Sequence, residues 1–247
     1  MKIETFGNPE KPVALLVHSI FYPGITSYKA ILPLLMEKYY VVIPNLNGLT
    51  YPHTDFVSTR KQADEIIKWL KDNKINHIAF LLGSSYGSSV AFEILKEQWL
   101  QIDRAALDSP ALKSSKFYGF LFYCELKKMV RKMKKMGMSA FKNSEKYKYL
   151  DNEEEEYCLK VYQGMDKKSL KDISYSCYDY TLPSQLYRKG TKVRFLFGEK
   201  DKAKINLPEV RNLKSGEIRI VEGMSHMQLM FEDPVEFLQE CGLDDIV

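Results

Sequence analysis

Two hydrophobic periods alternate along the chain. Unbroken apolar runs of strand length occur at 13–18, 40–46, 77–83, 104–108, 193–197 and 218–221. Between them lie stretches in which apolar residues recur every three or four positions. An apolar run without polar alternation predicts a strand covered on both faces, as in a parallel sheet. The 3–4 spacing predicts amphipathic helices at 27–38, 58–74, 87–100 and 233–242. Ser58 can cap the second of these, ahead of Ala63, Ile66, Ile67 and Leu70. The last has Pro234 in its first turn and Gly242 past its end, where each is favoured. Strand and helix in strict alternation predict an α/β fold, a mostly parallel sheet flanked by helices.

Residues 111–190 break this rhythm. They are rich in Lys, Met and aromatics, keep helical spacing and contain no convincing buried strand. They therefore predict a helical insertion between two strands of the sheet. Four glutamates at 153–156 follow Asn152. They fit the first turn of a helix, where negative charge meets the positive end of the macrodipole.

Composition narrows the function classes. Of 247 residues, 45% are hydrophobic and 28% charged, so the chain can bury a large core without staples and is neither disordered nor fibrous. The net charge of +4 is too small to argue for a nucleic-acid partner, and none is expected. The first residues, MKIETFGNPEKP, contain no apolar signal-peptide core, and no apolar run is long enough to span a bilayer. Cys124, Cys158, Cys177 and Cys241 are scattered and form no CxxC pair. They read as reduced, partly buried thiols of a cytoplasmic protein without stable membrane insertion. Four histidines with no HxH or HExxH pattern give no metal-site signature, and no metal or cofactor is expected.

Charge is unevenly shared. Residues 111–190 hold 17 Lys and Arg against 10 Asp and Glu, a net of +7, and the remainder carries −3. The densest run is KKMVRKMKKM at 127–136. It reads as the solvated face of a helix whose Phe117, Phe120, Leu121, Met129, Val130 and Met133 point inward. Attraction of an anionic substrate or of an acidic lipid surface is the other reading.

The chemistry concentrates at 78–95, IAFLLGSSYGSSVAFEIL. Gly83-Ser84-Ser85-Tyr86-Gly87 stands between a predicted strand and a predicted helix. A serine on so sharp a turn projects clear of the sheet, and the residues two before and two after it crowd each other. Ser85 has glycine at both positions, whereas Ser84 would have Leu82 and Tyr86. Ser85 is therefore the candidate nucleophile, with a helix N-terminus behind it that favours a developing anion.

With these residues the chain resembles the α/β-hydrolase superfamily, whose triad runs nucleophile, acid, histidine along the chain. The resemblance covers 13–110 and 192–240. It places the acid at Asp201, in Gly198-Glu199-Lys200-Asp201 after one late strand. It places the base at His226, in Glu222-Gly223-Met224-Ser225-His226 after the last. Asp108, which ends the strand after the nucleophile helix, is a rival for the acid. The resemblance implies an oxyanion hole from the backbone N–H groups of Tyr86 and Ile20. Ile20 belongs to His18-Ser19-Ile20, with Ser19 where the superfamily usually has glycine; a hydroxyl near the site is the other role open to it. His18 reads as a structural loop histidine.

The implied organisation is a core of residues 1–110 and 191–247 with a helical cap of residues 111–190 over the site. The implied function is a serine hydrolase acting on a small-molecule acyl substrate, a small or medium carboxylic ester, or a related thioester, lactone or amide. A capped serine aminopeptidase, which would need an acidic cap residue for the substrate amine, and a non-catalytic ligand-binding member of the fold are the alternatives. The aromatics Phe21, Tyr22, Phe117, Tyr118, Phe120, Phe122 and Tyr123 are either acyl-pocket lining or cap core. The sequence does not specify an oligomeric state.

Overall fold

The computed structural model describes residues 1–142, 147–183, 185–186, 190–213 and 215–244. Its strands are β1 (Lys2–Phe6), β2 (Val13–Val17), β3 (Tyr40–Asn45), β4 (His77–Ser84), β5 (Gln101–Asp108), β6 (Lys192–Gly198) and β7 (Glu217–Val221). They form one sheet in the order β1-β3-β2-β4-β5-β6-β7, with β1 antiparallel to β3 and every other pairing parallel. Successive side chains on each strand go to opposite faces. Leu15, Val17, Leu81, Leu107 and Phe195 build one core layer, and Ala14, Leu16, Phe80, Leu82 and Leu196 build the other.

The first layer is covered by α2 (Thr59–Asp72) and α3 (Tyr86–Leu95), and the second by α1 (Leu32–Met36), α8 (Gln228–Glu232) and α9 (Pro234–Glu240). Between β5 and β6 lie α4 (Lys116–Met136), α5 (Asn152–Gly164) and α6 (Lys167–Ser176), and α7 (Leu207–Asn212) follows β6. The insertion leaves and returns at one place. Ser115 N–H donates to Tyr178 O at 2.7 Å, and Ser114 bridges Asp179. Among the described residues, no helix is long and apolar enough to cross a membrane.

Local chemistry sets the element ends. Ser58 accepts from Lys61 N–H at the start of α2, and Asp233 accepts from Glu236 N–H at the start of α9. The cap of α5 is Asp151, which exchanges hydrogen bonds with Glu154, so Glu153, Glu154 and Glu155 occupy that helix's first turn and Glu156 follows it. Two predicted helices are shorter than their periodicity implies. The stretch 27–38 becomes a 3₁₀ turn at Gly24–Ser27 followed by α1, because Pro33 has no N–H to give a preceding turn and must sit near a helix start. The helix predicted over 87–100 ends at Leu95, and β5 starts at Gln101 rather than Arg104. Strand β1 was not predicted.

One expectation is overturned. Phe117, Phe120 and Leu121 were expected to point inward, yet they are 65%, 51% and 46% exposed. The buried residues of α4 are Gly119, Leu126, Val130 and Met133. At 100° per residue these two sets lie on opposite sides of one helix, so a single helix cannot bury both.

Candidate active site

β4 runs directly into α3, and Ser85 is the joint between them. Its backbone sits at φ 53°, ψ −119°, a conformation a serine adopts only under constraint. The constraint is the close approach of neighbouring chain. A Cβ on Gly87 would lie 2.0 Å from Val17 O and 2.6 Å from His18 O. A Cβ on Gly83 would lie 2.7 Å from both Ala91 Cβ and Ser88 Cα. Ser84 turns the other way, fully buried, with its hydroxyl accepting from Tyr28 at 3.2 Å.

The loops after β6 and β7 bring the other two predicted residues to Ser85. His226 Nε2 lies 3.1 Å from Ser85 Oγ, and His226 Nδ1 lies 3.0 Å from Asp201 Oδ1. Asp201 is buried and also accepts from Ala203 N–H at 2.7 Å. Burial pushes its carboxyl upward, but the hydrogen bond and charge of His226 and the Ala203 N–H outweigh it and hold the group below the usual carboxylate range. The arrangement lets Nε2 take the hydroxyl proton while Asp201 accepts from Nδ1–H and faces the imidazolium that results.

Asp108 lies in the same neighbourhood, but the hydrogen bond of His226 Nδ1 goes to Asp201. Asp108 Oδ1 accepts from Ser109 Oγ at 3.2 Å, and Asp108 Oδ2 is buried without a partner. Burial, reinforced by the charge of Asp201, raises its carboxyl to about 7 despite the opposing pull of His226 and the Ser109 hydroxyl. The two carboxylates thus part company: one is held ionised against the imidazole, the other sits behind it in a largely apolar recess beside Leu196, Met227 and Phe237.

Ile20 lines the same cavity as Ser85 and His226, and Tyr86, the first residue of α3, has no intrahelical acceptor for its N–H. Ser19 faces away from this space. Its hydroxyl accepts from Tyr22 N–H at 3.2 Å and meets Ser27 Oγ at 3.2 Å, which braces the loop that carries Ile20. His18 is fully buried, donates from Nδ1 to Ser19 O at 2.8 Å and accepts Leu46 N–H at Nε2. Burial lowers it to about 4, so it stays neutral and structural.

The cavity over Ser85 has a volume of about 380 Å³. The insertion contributes Phe122 and Glu125 from α4, and Cys177 and Tyr178 from beyond α6. A second cavity, of about 630 Å³, shares Phe21, Lys202, Ser225 and His226 with the first and is bounded by Lys148 and Tyr149. Sequence reasoning missed Ser109, whose hydroxyl also accepts Met227 N–H at 3.3 Å and so ties β5 to the histidine loop. It also missed Tyr162, whose phenol donates to Ile20 O at 2.8 Å. No motif marks either residue. Cys158, Cys177 and Cys241 are buried and Cys124 is exposed, all unpaired. Among the described residues, no cluster of His, Cys, Asp and Glu could hold a metal ion.

No protein-family model matches the sequence, and no curated protein matches it. Solved structures do. An α/β-hydrolase family protein from Desulfitobacterium hafniense superposes with a TM-score of 0.75 at 18% identity, covering 96% of this chain and 97% of its own. A hydrolase from Pseudomonas aeruginosa gives 0.72 at 15% identity, covering 96% and 91%. An esterase from Thermogutta terrifontis gives 0.66 at 18%, covering 97% and 93%. The likeness spans nearly the whole of each chain while the sequences share fewer than one residue in five, so what it shows is the architecture: this chain has the α/β-hydrolase fold.

Proposed function

We propose that the protein is a serine hydrolase that cleaves a small or medium carboxylic ester, or a related acyl compound, through an acyl-enzyme. The observation that carries this reading is the continuous chain Ser85 Oγ, His226, Asp201, with contacts of 3.1 and 3.0 Å, on a backbone-strained serine at the floor of a cavity. Ser85 Oγ attacks the acyl carbonyl as its proton passes to His226 Nε2, and Asp201 orients the imidazole and stabilises its charged form. The N–H groups of Ile20 and Tyr86 receive the oxyanion, each contributing on the order of 3 kcal/mol. His226 protonates the leaving alcohol. Water, deprotonated by His226, then releases the acid and regenerates Ser85. Residues 111–190 act as a cap over a core of residues 1–110 and 191–247. The unpaired thiols favour a cytoplasmic setting.

A fluorophosphonate probe tests the reading. It should label the protein once, at Ser85, and Ser85→Ala should abolish both labelling and turnover of p-nitrophenyl esters while Ser84→Ala keeps both. Labelling at another serine, or turnover that survives in Ser85→Ala, refutes it.

One observation favours a second reading. Glu125 brings a carboxylate from α4 to the cavity, where an acidic group could hold a substrate amine, as a capped aminopeptidase requires. Faster cleavage of amino-acid anilides than of matched N-acetyl esters, lost in Glu125→Gln, would select it.

A further inference from the structure

Helix α4 has two working sides. Phe122 and Glu125 look into the cavity, and Leu126, Val130 and Met133 are buried beneath the helix. The opposite side is unusual for a surface helix. At 100° per residue, Phe117, Phe120, Leu121 and Cys124 fall within one arc of about 120°. Lys128, Arg131, Lys132 and Lys135 fall within that same arc, further along the axis. All eight are exposed. The face is therefore apolar over its first half and cationic over its second.

The energetics of water alone do not explain such a face. Phe117 at 65% exposed, Phe120 at 51% and Leu121 at 46% lie within five residues and form a contiguous apolar patch rather than scattered exceptions. The cations are equally unsatisfied. Among the described residues, none of Lys128, Arg131, Lys132 and Lys135 has a carboxylate within 4 Å, whereas lysines elsewhere, such as Lys113, Lys160 and Lys168, are paired. α4 carries seven basic residues and one acidic residue, Glu125, which lies at the edge of the arc.

We propose that the outward face of α4 docks on an anionic phospholipid surface, with Phe117, Phe120 and Leu121 in the acyl-headgroup boundary and Lys128, Arg131, Lys132 and Lys135 against the headgroup phosphates. Aromatic and aliphatic side chains together with Lys and Arg, on a helix too polar to span, are the composition that lipid interfaces bind, here arranged end to end along one face. Charge complementarity selects the occupant. Two copies of the face brought together would oppose cation to cation or bury the lysines against Phe117 and Phe120. A nucleic-acid backbone would engage only the cationic half and leave the apolar half in water. A bilayer surface satisfies both halves, and a helix of 21 residues, about 31 Å long, is long enough to present both at once. The inference concerns binding and stands whether or not Ser85 turns over an ester.

The test is co-sedimentation of the full chain with vesicles of phosphatidylcholine alone and of phosphatidylcholine with about one-third phosphatidylserine. The expected result is at least tenfold stronger binding to the anionic vesicles, with most of that excess lost at high salt, because each surface-facing Lys or Arg contributes roughly fivefold. Lys128→Glu with Lys132→Glu should remove the excess. Phe117→Ser with Phe120→Ser should weaken binding to anionic vesicles by about tenfold or more, and all four residues are exposed, so thermal unfolding should stay at the wild-type temperature. A polarity-sensitive fluorophore on Cys124 should shift to the blue on binding. Equal binding to both vesicle types overturns the proposal, as does binding that ignores the Phe117 and Phe120 substitutions. Preference for duplex RNA or DNA over anionic vesicles, or self-association that shields Cys124 without lipid, overturns it in favour of another occupant.

Discussion

Helices α3 and α4 sit one strand apart in the chain and obey different rules. All ten residues of α3 are buried, wedged against β2 and β4 so closely that Gly87 admits no Cβ. α4 is twice as long and buries four of its 21 residues. The first helix is held by backbone against backbone and fixes Ser85 to the sheet. The second is held by a thin apolar seam and leaves most of its surface free to vary. The contrast separates what must be exact in this fold, the strained turn that carries Ser85, from what can change at small cost, the outer surface of α4.

The sharpest way to break the comparison is at the triad end. Asp201→Asn should lower kcat by on the order of 10⁴, because the imidazole loses its charged orienter. Asp108→Asn should leave kcat within about tenfold, since it is Asp201 that hydrogen-bonds His226 Nδ1, while Asp108 accepts from Ser109. The reverse ranking, measured by steady-state hydrolysis, would move the acid to the end of β5.

Asp108 makes a second prediction through stability. Its folded value, about 7, exceeds the ordinary 3.8, so the folded protein holds this proton over a range where the unfolded chain has lost it. Stability therefore falls as pH rises from about 4 to about 7 and is constant beyond. Asp108→Asn removes the cost of ionising there. Urea unfolding should find the variant more stable at pH 8, by at most on the order of 4 kcal/mol, with the difference vanishing near pH 4. Asp201 has the opposite sign: its lowered carboxyl stabilises the fold above the ordinary value, and that contribution is lost as pH falls through the folded one.

Next in size is the wedge itself. Gly87→Ala places a methyl group 2.0 Å from a backbone oxygen that no rotamer can clear. It should cost about 3 kcal/mol or more and depress esterase activity together with melting temperature. The smallest effect belongs to α4. Reversing Lys128, Arg131, Lys132 and Lys135 should shift stability by less than about 1 kcal/mol and leave kcat/KM for a neutral, water-dissolved ester within a few-fold, because these charges are solvated and screened. A large loss in that assay would show that α4 is bound to the chemistry as tightly as α3.

What could be read from the sequence follows the same division. The elbow was legible because Gly83 and Gly87, two residues either side of Ser85, stand where crowding leaves no room for a Cβ, and the unbroken apolar runs marked the parallel strands. β1 escaped because Lys-Ile-Glu-Thr-Phe is a half-exposed edge strand pairing antiparallel with β3, without the apolar run that marks the buried strands. The orientation of α4 escaped for another reason. Its apolar residues fall into two stripes on opposite sides, and periodicity shows that a stripe exists without showing which one meets the core. The structure decides for Leu126, Val130 and Met133, which pack with Cys158, Val161 and Ile173, and against Phe117, Phe120 and Leu121. Ser109 and Tyr162 have no signature because the tie each makes to a distant part of the chain runs from one hydroxyl to a backbone atom, which no local spacing marks.

The hydroxyl of Tyr162 has a mechanical consequence. It joins α5 to the carbonyl of Ile20, a residue that lines the cavity over Ser85. A hydrogen bond of 2.8 Å is gone by about 3.5 Å, so α5 cannot lift by a full ångström without releasing that carbonyl. The peptide planes on either side of Ile20 share its Cα, so a carbonyl set free lets the neighbouring N–H swing as well. Under the proposed mechanism, in which the Ile20 amide is an oxyanion donor, the strut makes the aim of that donor depend on how α5 is seated.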